Sequence, residues 1–353
     1  MLLKADDNMK KSINKPLVIF SVVFYIIAMG LMLIGTFNDL QITVNLYNPQ
    51  SLFARVLESF GPFTYWGIWG PAFTIIFLCR RDLNESLCVV HKLVPAITPV
   101  ENTEHKAYKF FNTVLKIITT LGFFVLAVIG WKKIIENVLK NILFMSGKED
   151  MSQAFYFIVC TIFTAAVIFL CSKIDRNKLK KIEGLALAGV LFGILLKIIE
   201  EFKPLTSRVR VREMIAYSNG FLNENGMSEG KYSPLTREMA AGADYSAFTA
   251  WYKIGDDMGV YSRADSFPSG HTSCACASFL LYFLSITYDK LKKFAPLALM
   301  TAFAYVILVG FSRMIAGAHY LTDVAGAAII AYSLFLIVYK IYCNFTQRGV
   351  IGR

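Results

Sequence analysis

Four stretches of this chain run for about twenty residues without a charge: 16–36, 59–79, 151–172 and 294–312. A helix needs about 20 apolar residues to cross a hydrocarbon core about 30 Å thick. Inside that core every backbone N–H and C=O must be satisfied internally, so such runs are read as membrane helices. Four weaker runs follow the same pattern. The run at 112–131 carries Lys116 near one end, where its stem can reach the interface, and 184–202 carries Lys197, Glu200 and Glu201 near its far end. The runs at 272–288 and 324–339 are short, and the second begins just after Asp323. Together they predict an all-α, polytopic membrane helix bundle of about eight transmembrane helices.

Composition fits that class. The 353 residues are 56% hydrophobic and 17% charged, against about 45–50% and about 25% in soluble domains. This excludes an ordinary soluble enzyme, a fibrous repeat and a disordered chain. The net charge of +11 is assigned to loops that follow the positive-inside rule, and no nucleic-acid partner is expected. Lys10, Lys11 and Lys15 precede the first apolar run, which reads as a retained signal anchor. The seven cysteines form neither a disulfide framework nor a zinc pattern; those in apolar runs are core hydrophobes.

Alternation of eight spans assigns the sides. With the N-terminus inside, the inner segments hold 20 Lys plus Arg and the outer ones 14, of which eight sit in the single long loop 203–271. Long loops weigh little in this rule. The chain is therefore divided into a cytoplasmic segment 1–15, N-terminal transmembrane helices 16–202, an extracytoplasmic loop 203–271, C-terminal transmembrane helices 272–343 and a cytoplasmic tail 344–353. Lys132 and Lys133 fall outside and run against the rule.

Three polar clusters stand out: Lys203 to Arg212 with Arg208 and Arg210 between, Pro268-Ser269-Gly270-His271-Thr272, and Ser312-Arg313 followed by His319 and Asp323. Taken singly, each has a plainer reading: interfacial anchors, a solvated basic run, a turn with a helix cap. Taken together, alternation puts all of them at one outer face, where polar residues at membrane depth mark a functional site. Arginine forks match phosphate oxygens, a helix start offers free N–H groups, and glycine lets the backbone approach a ligand. His319 and Asp323, four apart, share a face if the turn between them is helical; a carboxylate behind an imidazole fixes its tautomer. His91 and His105 read as solvated loop residues.

These residues resemble the three-part signature of the type-2 phosphatidic acid phosphatase (PAP2) superfamily: K-x6-R-P, P-S-G-H and S-R-x5-H-x3-D. Lys203 and Arg210 match the first part with Val211 in place of the proline, and the other two parts match in full. The resemblance implies phosphate binding by Lys203, Arg210, Arg313, Ser269 and Gly270. It implies His319 as nucleophile through a phosphohistidine, Asp323 as its orienting group and His271 as the acid for the leaving oxygen. It also implies a six-helix core, so that two of the eight spans, among residues 112–172, are additions. Arg208, Arg212 and Arg263 are candidates for a second phosphate or an anionic headgroup. Phe248, Trp251 and Tyr252 cover the site, sit at the headgroup level or pack the loop down.

The expected activity is hydrolysis of a lipid phosphate or diphosphate, of isoprenyl diphosphate, phosphatidylglycerophosphate or phosphatidic acid type, at the outer face of the cell membrane. No cofactor, metal or required protein partner is expected: four fixed cations serve the phosphoryl group, and the sequence has no obvious carboxylate cluster for Mg²⁺. A lipid phosphotransferase on the same site is the first rival. An anion transporter or channel is the second, though repeats and broken helices typical of transporters are not evident.

Overall fold

The structure, a computed structural model, describes residues 2–80, 106–145, 151–201, 203, 206, 208–222, 235–253 and 265–347. His91, His105 and Arg263 lie outside them, as do residues 223–234 and 254–264 of the stretch that joins the first two motifs. Most of the described residues are helical, with no β-strand among them. In chain order the helices are α1 (Leu2–Leu46), α2 (Leu52–Phe60), α3 (Phe63–Arg80), α4 (Lys106–Met145), α5 (Gln153–Cys171), α6 (Arg176–Glu201), α7 (Val211–Ser218), α8 (Gly270–Ala275), α9 (Leu280–Thr287), α10 (Ala295–Ile315) and α11 (Leu321–Gln347).

Six helices are long and apolar enough to cross a membrane, at Lys15–Leu46, Ile117–Lys140, Gln153–Cys171, Arg176–Glu201, Asp289–Ile315 and Leu321–Thr346. They account for six of the eight runs expected from sequence. The other two are helical but of a different kind. At 59–79 the chain forms α2 and α3, separated by a turn at Gly61 and Pro62; α3 is only 18 residues long. At 272–288 two short α-helices flank a 3₁₀ turn at Cys276–Phe279, a tighter winding used in short pieces.

Contacts divide the chain into two units. The first comprises residues 1–65 and 194–336. Phe24, Phe279, Tyr332 and Phe335 form its aromatic core, with ring centroids 4.2 Å apart for Phe24–Tyr332 and 4.9 Å for Phe279–Tyr332. Edge-on and tilted pairs of this kind add about 0.5–1.5 kcal/mol each beyond area burial. Hydroxyl contacts Ser21–Tyr332 (2.8 Å) and Tyr25–Ser333 (2.7 Å) fix α1 against α11. Val18, Val22, Ile26, Met29, Leu33 and Phe37 are exposed along the same helix, a stripe at helical spacing suited to lipid. A second core holds Tyr47, Val209, Met214, Ile215 and Tyr320, with Phe248 of the loop packed on it.

The second unit comprises residues 66–193 and 337–353. Close backbone approach builds it. A Cβ added to Gly130 would lie 2.6 Å from the Gly70 nitrogen, so α3 and α4 meet through two glycines. Small residues let membrane helices approach in this way. The neighbouring Trp131 donates Nε1–H to Thr74 Oγ1 at 3.0 Å.

Candidate active site

Main-chain bonds draw the three motifs together within the first unit. Ser266 N donates to Arg208 O (3.0 Å), Arg212 N to Gly317 O (3.0 Å) and Ser269 N to Asp323 O (3.1 Å). The turn that follows α10 reverses at Gly317, whose φ is +62°, a region open to glycine at no steric cost. Its amide donates to Met314 O. The result is one cluster of motif residues that is nearly closed to solvent.

His319 lies in the non-helical turn between α10 and α11. Its Nδ1 donates to the main-chain carbonyl of Ser266 at 2.7 Å, while the Asp323 carboxylate stands 3.6 Å away. The expected His–Asp pairing is therefore second to a peptide carbonyl. The reason is local: the residues before Leu321 are not helical, and Asp323 has other duties. At the third position of α11 its Oδ2 accepts the Tyr320 N–H at 2.9 Å, the inward half of a capping box. It also accepts the Ser266 hydroxyl, and its Oδ1 takes Arg208 Nη1 at 2.6 Å. Burial drives His319 down to about 3, with Arg210 and Arg313 adding to it against the pull of Asp323. The imidazole is neutral, and its Nε2 is left with a lone pair.

His271 opens α8. Its Nε2 donates to the Glu58 carbonyl at 2.9 Å, which leaves Nδ1 as the other ring nitrogen. Burial, then the charge of Arg313, hold it well below the usual histidine range, although Glu58 pulls the other way. Ser269 caps α8: its Oγ accepts Thr272 N at 3.4 Å and Thr272 Oγ1 at 2.9 Å. Lys203 fits against Gly270, because a Cβ there would lie 2.9 Å from Lys203 Nζ. Burial and the nearby Arg210 lower the lysine pKa.

The arginines divide by partner. Arg210 gives Nη2 to Asp265 at 2.7 Å; its Nε–H is buried without a hydrogen-bond partner, and burial lowers its pKa to about 10. Arg313 is 2% exposed and meets Glu58 Oε1 at 3.1 Å. Arg212 meets the same oxygen at 3.2 Å. Arg208 is 0% exposed. It bonds Asp39 Oδ2 (2.8 Å), Thr322 Oγ1 (2.8 Å), Asp323 Oδ1 (2.6 Å) and the Thr249 carbonyl (2.8 Å), and lies over the Tyr320 ring at 3.9 Å. Four of its five N–H groups are so engaged; it joins the framework of the site, away from any substrate surface.

Three residues in this cluster were not singled out from sequence: Asp39, Glu58 and Asp265. Asp39 and Glu58 had a signal, being the acids that end one uncharged run and directly precede another. Phe248 and Trp251 are packed down: Phe248 lies 5.3 Å from Tyr320, and Trp251 gives Nε1–H to Thr36 at 3.1 Å. Among the described residues no group of three or more His, Cys, Asp or Glu is arranged to hold a metal ion.

Comparison with known proteins follows the same residues. The model of the PAP2 superfamily matches residues 224–347, which hold the second and third motifs; Lys203 and Arg210 precede the match. Phosphatidylglycerophosphatase B of Bacillus subtilis (strain 168) is 35% identical over 81 residues, 22% of this chain and 40% of that protein. The match thus spans about two fifths of that relative's length. No solved structure matches the chain significantly. Over residues 224–347, with the second and third motifs gathered there, the chain is similar to the PAP2 superfamily.

Proposed function

We propose that the protein is an integral membrane lipid phosphatase acting at the outer face of the cell membrane, with eight crossings: the six long helices, α3, and the broken run 272–288. Its substrate is a lipid phosphate or diphosphate of isoprenyl, phosphatidylglycerophosphate or phosphatidic acid type. The observation that supports this reading best is the pair of neutral histidines, His319 buried and His271 half-buried, each with one nitrogen tied to a main-chain carbonyl, set among Lys203, Arg210 and Arg313.

In this reading the cations bind the phosphoryl oxygens and hold the group in line with His319. The Nε2 lone pair attacks phosphorus, the P–O bond to the lipid breaks, and His271 gives a proton to the leaving oxygen. Water then attacks the phosphohistidine, His271 takes the water proton, and phosphate and neutral His319 are released. Positioning and fixed charge carry the rate. A bound phosphate dianion offsets the repulsion from Arg313 and favours the protonated His271 that the first step needs. The extracytoplasmic side follows the charge asymmetry of the loops.

Phosphate release by the purified protein across a panel of these lipids, with excess EDTA present, tests the reading. Metal-independent release is expected. Loss of release on chelation with recovery on Mg²⁺ would remove the mechanism. Transfer of phosphate to an added alcohol in preference to water would make it a phosphotransferase, and anion flux into proteoliposomes without hydrolysis would make it a transporter.

A further inference from the structure

We propose that Glu58 is a positioning residue of this site, a resident carboxylate that occupies the place between Arg212 and Arg313 until a phosphoryl group supplies that charge. The proposal builds on the phosphatase reading, but it is read by anion binding as well as by turnover.

Glu58 comes from α2, an element outside the three motifs. It is 4% exposed, and Ser51 starts its helix by accepting Ala54 N–H. One carboxylate oxygen, Oε1, receives Arg212 Nη1 at 3.2 Å and Arg313 Nη2 at 3.1 Å. The same residue's carbonyl receives His271 Nε2 at 2.9 Å. A single residue therefore holds two cations and the proposed acid. Two guanidiniums brought to one oxygen in a water-poor pocket repel each other, and an unpaired buried charge is costly. Burial disfavours the charged carboxylate, yet Arg313 and Arg212 outweigh burial and hold the Glu58 carboxyl well below the usual carboxylate range. Glu58 is thus an internal anion that orders the two guanidiniums.

A phosphoryl group presents three equatorial oxygens to the same forks and competes with Glu58 for them. This gives Glu58 two opposed effects. It orders Arg313 and His271 before substrate arrives, which favours turnover, and it offsets positive charge, which weakens every bound anion and speeds departure of phosphate. A residue that merely supports the fold has no such split.

The test uses the full-length protein in detergent, with orthovanadate as the probe. Glu58→Gln keeps shape and carbonyl but removes the charge. Its vanadate Ki and its KM are expected to fall by about tenfold, from the Coulomb attraction no longer offset, while kcat falls and inorganic phosphate becomes a stronger inhibitor. Vanadate should also raise the melting temperature of the variant more than that of the wild type. An unchanged or higher Ki in a folded Glu58→Gln protein overturns the proposal. If that variant does not fold, Arg212→Gln reads the same bridge from the other side. With one fork gone, Glu58 serves Arg313 alone, and vanadate binding should weaken at least about tenfold; an unchanged Ki there overturns it too. A wild-type protein that binds vanadate but releases phosphate from no lipid would sink the phosphatase reading and leave this one to be decided by the melting shifts.

Discussion

His319 and His271 each spend one nitrogen on a peptide carbonyl, and on opposite ring atoms, Nδ1 in one and Nε2 in the other. The tautomers are therefore set by the main chain, and substitution of neighbouring side chains cannot remove the acceptors. Asp323→Asn should lower the rate yet keep the nucleophile's tautomer and vanadate binding, as read by phosphate release and vanadate inhibition. His319→Ala should abolish turnover and any trapped phosphoenzyme. His271→Ala should lose about 10²–10⁴-fold on alkyl phosphates, the usual range of general acid catalysis, and much less on p-nitrophenyl phosphate, whose leaving group needs little protonation. A phosphoenzyme that still accumulates in His319→Ala would exchange the two roles. Both histidines are held below the ordinary value of 6.5, so the unfolded chain binds more protons than the folded one below that pH. Stability is full above about pH 6.5 and declines as pH falls toward the folded values. The melting temperature should drop between pH 7 and pH 5, and His319→Gln should flatten that drop.

At the scale of elements, the apolar runs were legible because lipid tolerates few charges, and the motifs because their spacing is specific. The ends of the runs were less so. The first apolar run ends at Thr36, before Asn38 and Asp39, but α1 continues to Leu46. Its last turns face protein, where Arg208 and Thr322 donate hydrogen bonds to Asp39, so a charge that would end a lipid-facing helix is tolerated. Glu58 is hidden for a similar reason, since it stands directly before the uncharged run 59–79. The broken run 270–287 is dense in small residues, Gly270, Ser273, Cys274, Ala275, Cys276, Ala277 and Ser278, which follow the turn with little steric demand. Asp39→Asn should cost about 3–5 kcal/mol, as for a buried pair broken on one side, seen as a lower melting temperature in detergent. Gly317→Ala should also destabilise, because φ is +62° and the new Cβ would lie 2.7 Å from the Tyr47 ring; strain of this sort costs about 1–3 kcal/mol.

At the scale of the whole chain, every described residue assigned to the site belongs to the unit formed by 1–65 and 194–336, whereas α4 and α5 belong to the other. The resemblance had suggested additions among residues 112–172, the stretch these two helices occupy. The orientation is open to direct measurement. Ala241 is exposed in the long loop, and a cysteine placed there should react with an impermeant thiol reagent applied to intact cells; labelling only after lysis would put the site in the cytoplasm. The bond from Asp39 to Arg208 spans 169 residues and that to Thr322 spans 283. Synthesis runs from the N-terminus, so the carboxyl reaches the bilayer long before its cation, and longer still before the threonine. A chain cut short between these points keeps an uncompensated acid near the end of its first helix, a costly place for one. Arrival of the last helix removes that flaw, so the first helix is fully satisfied only once the final one is in place.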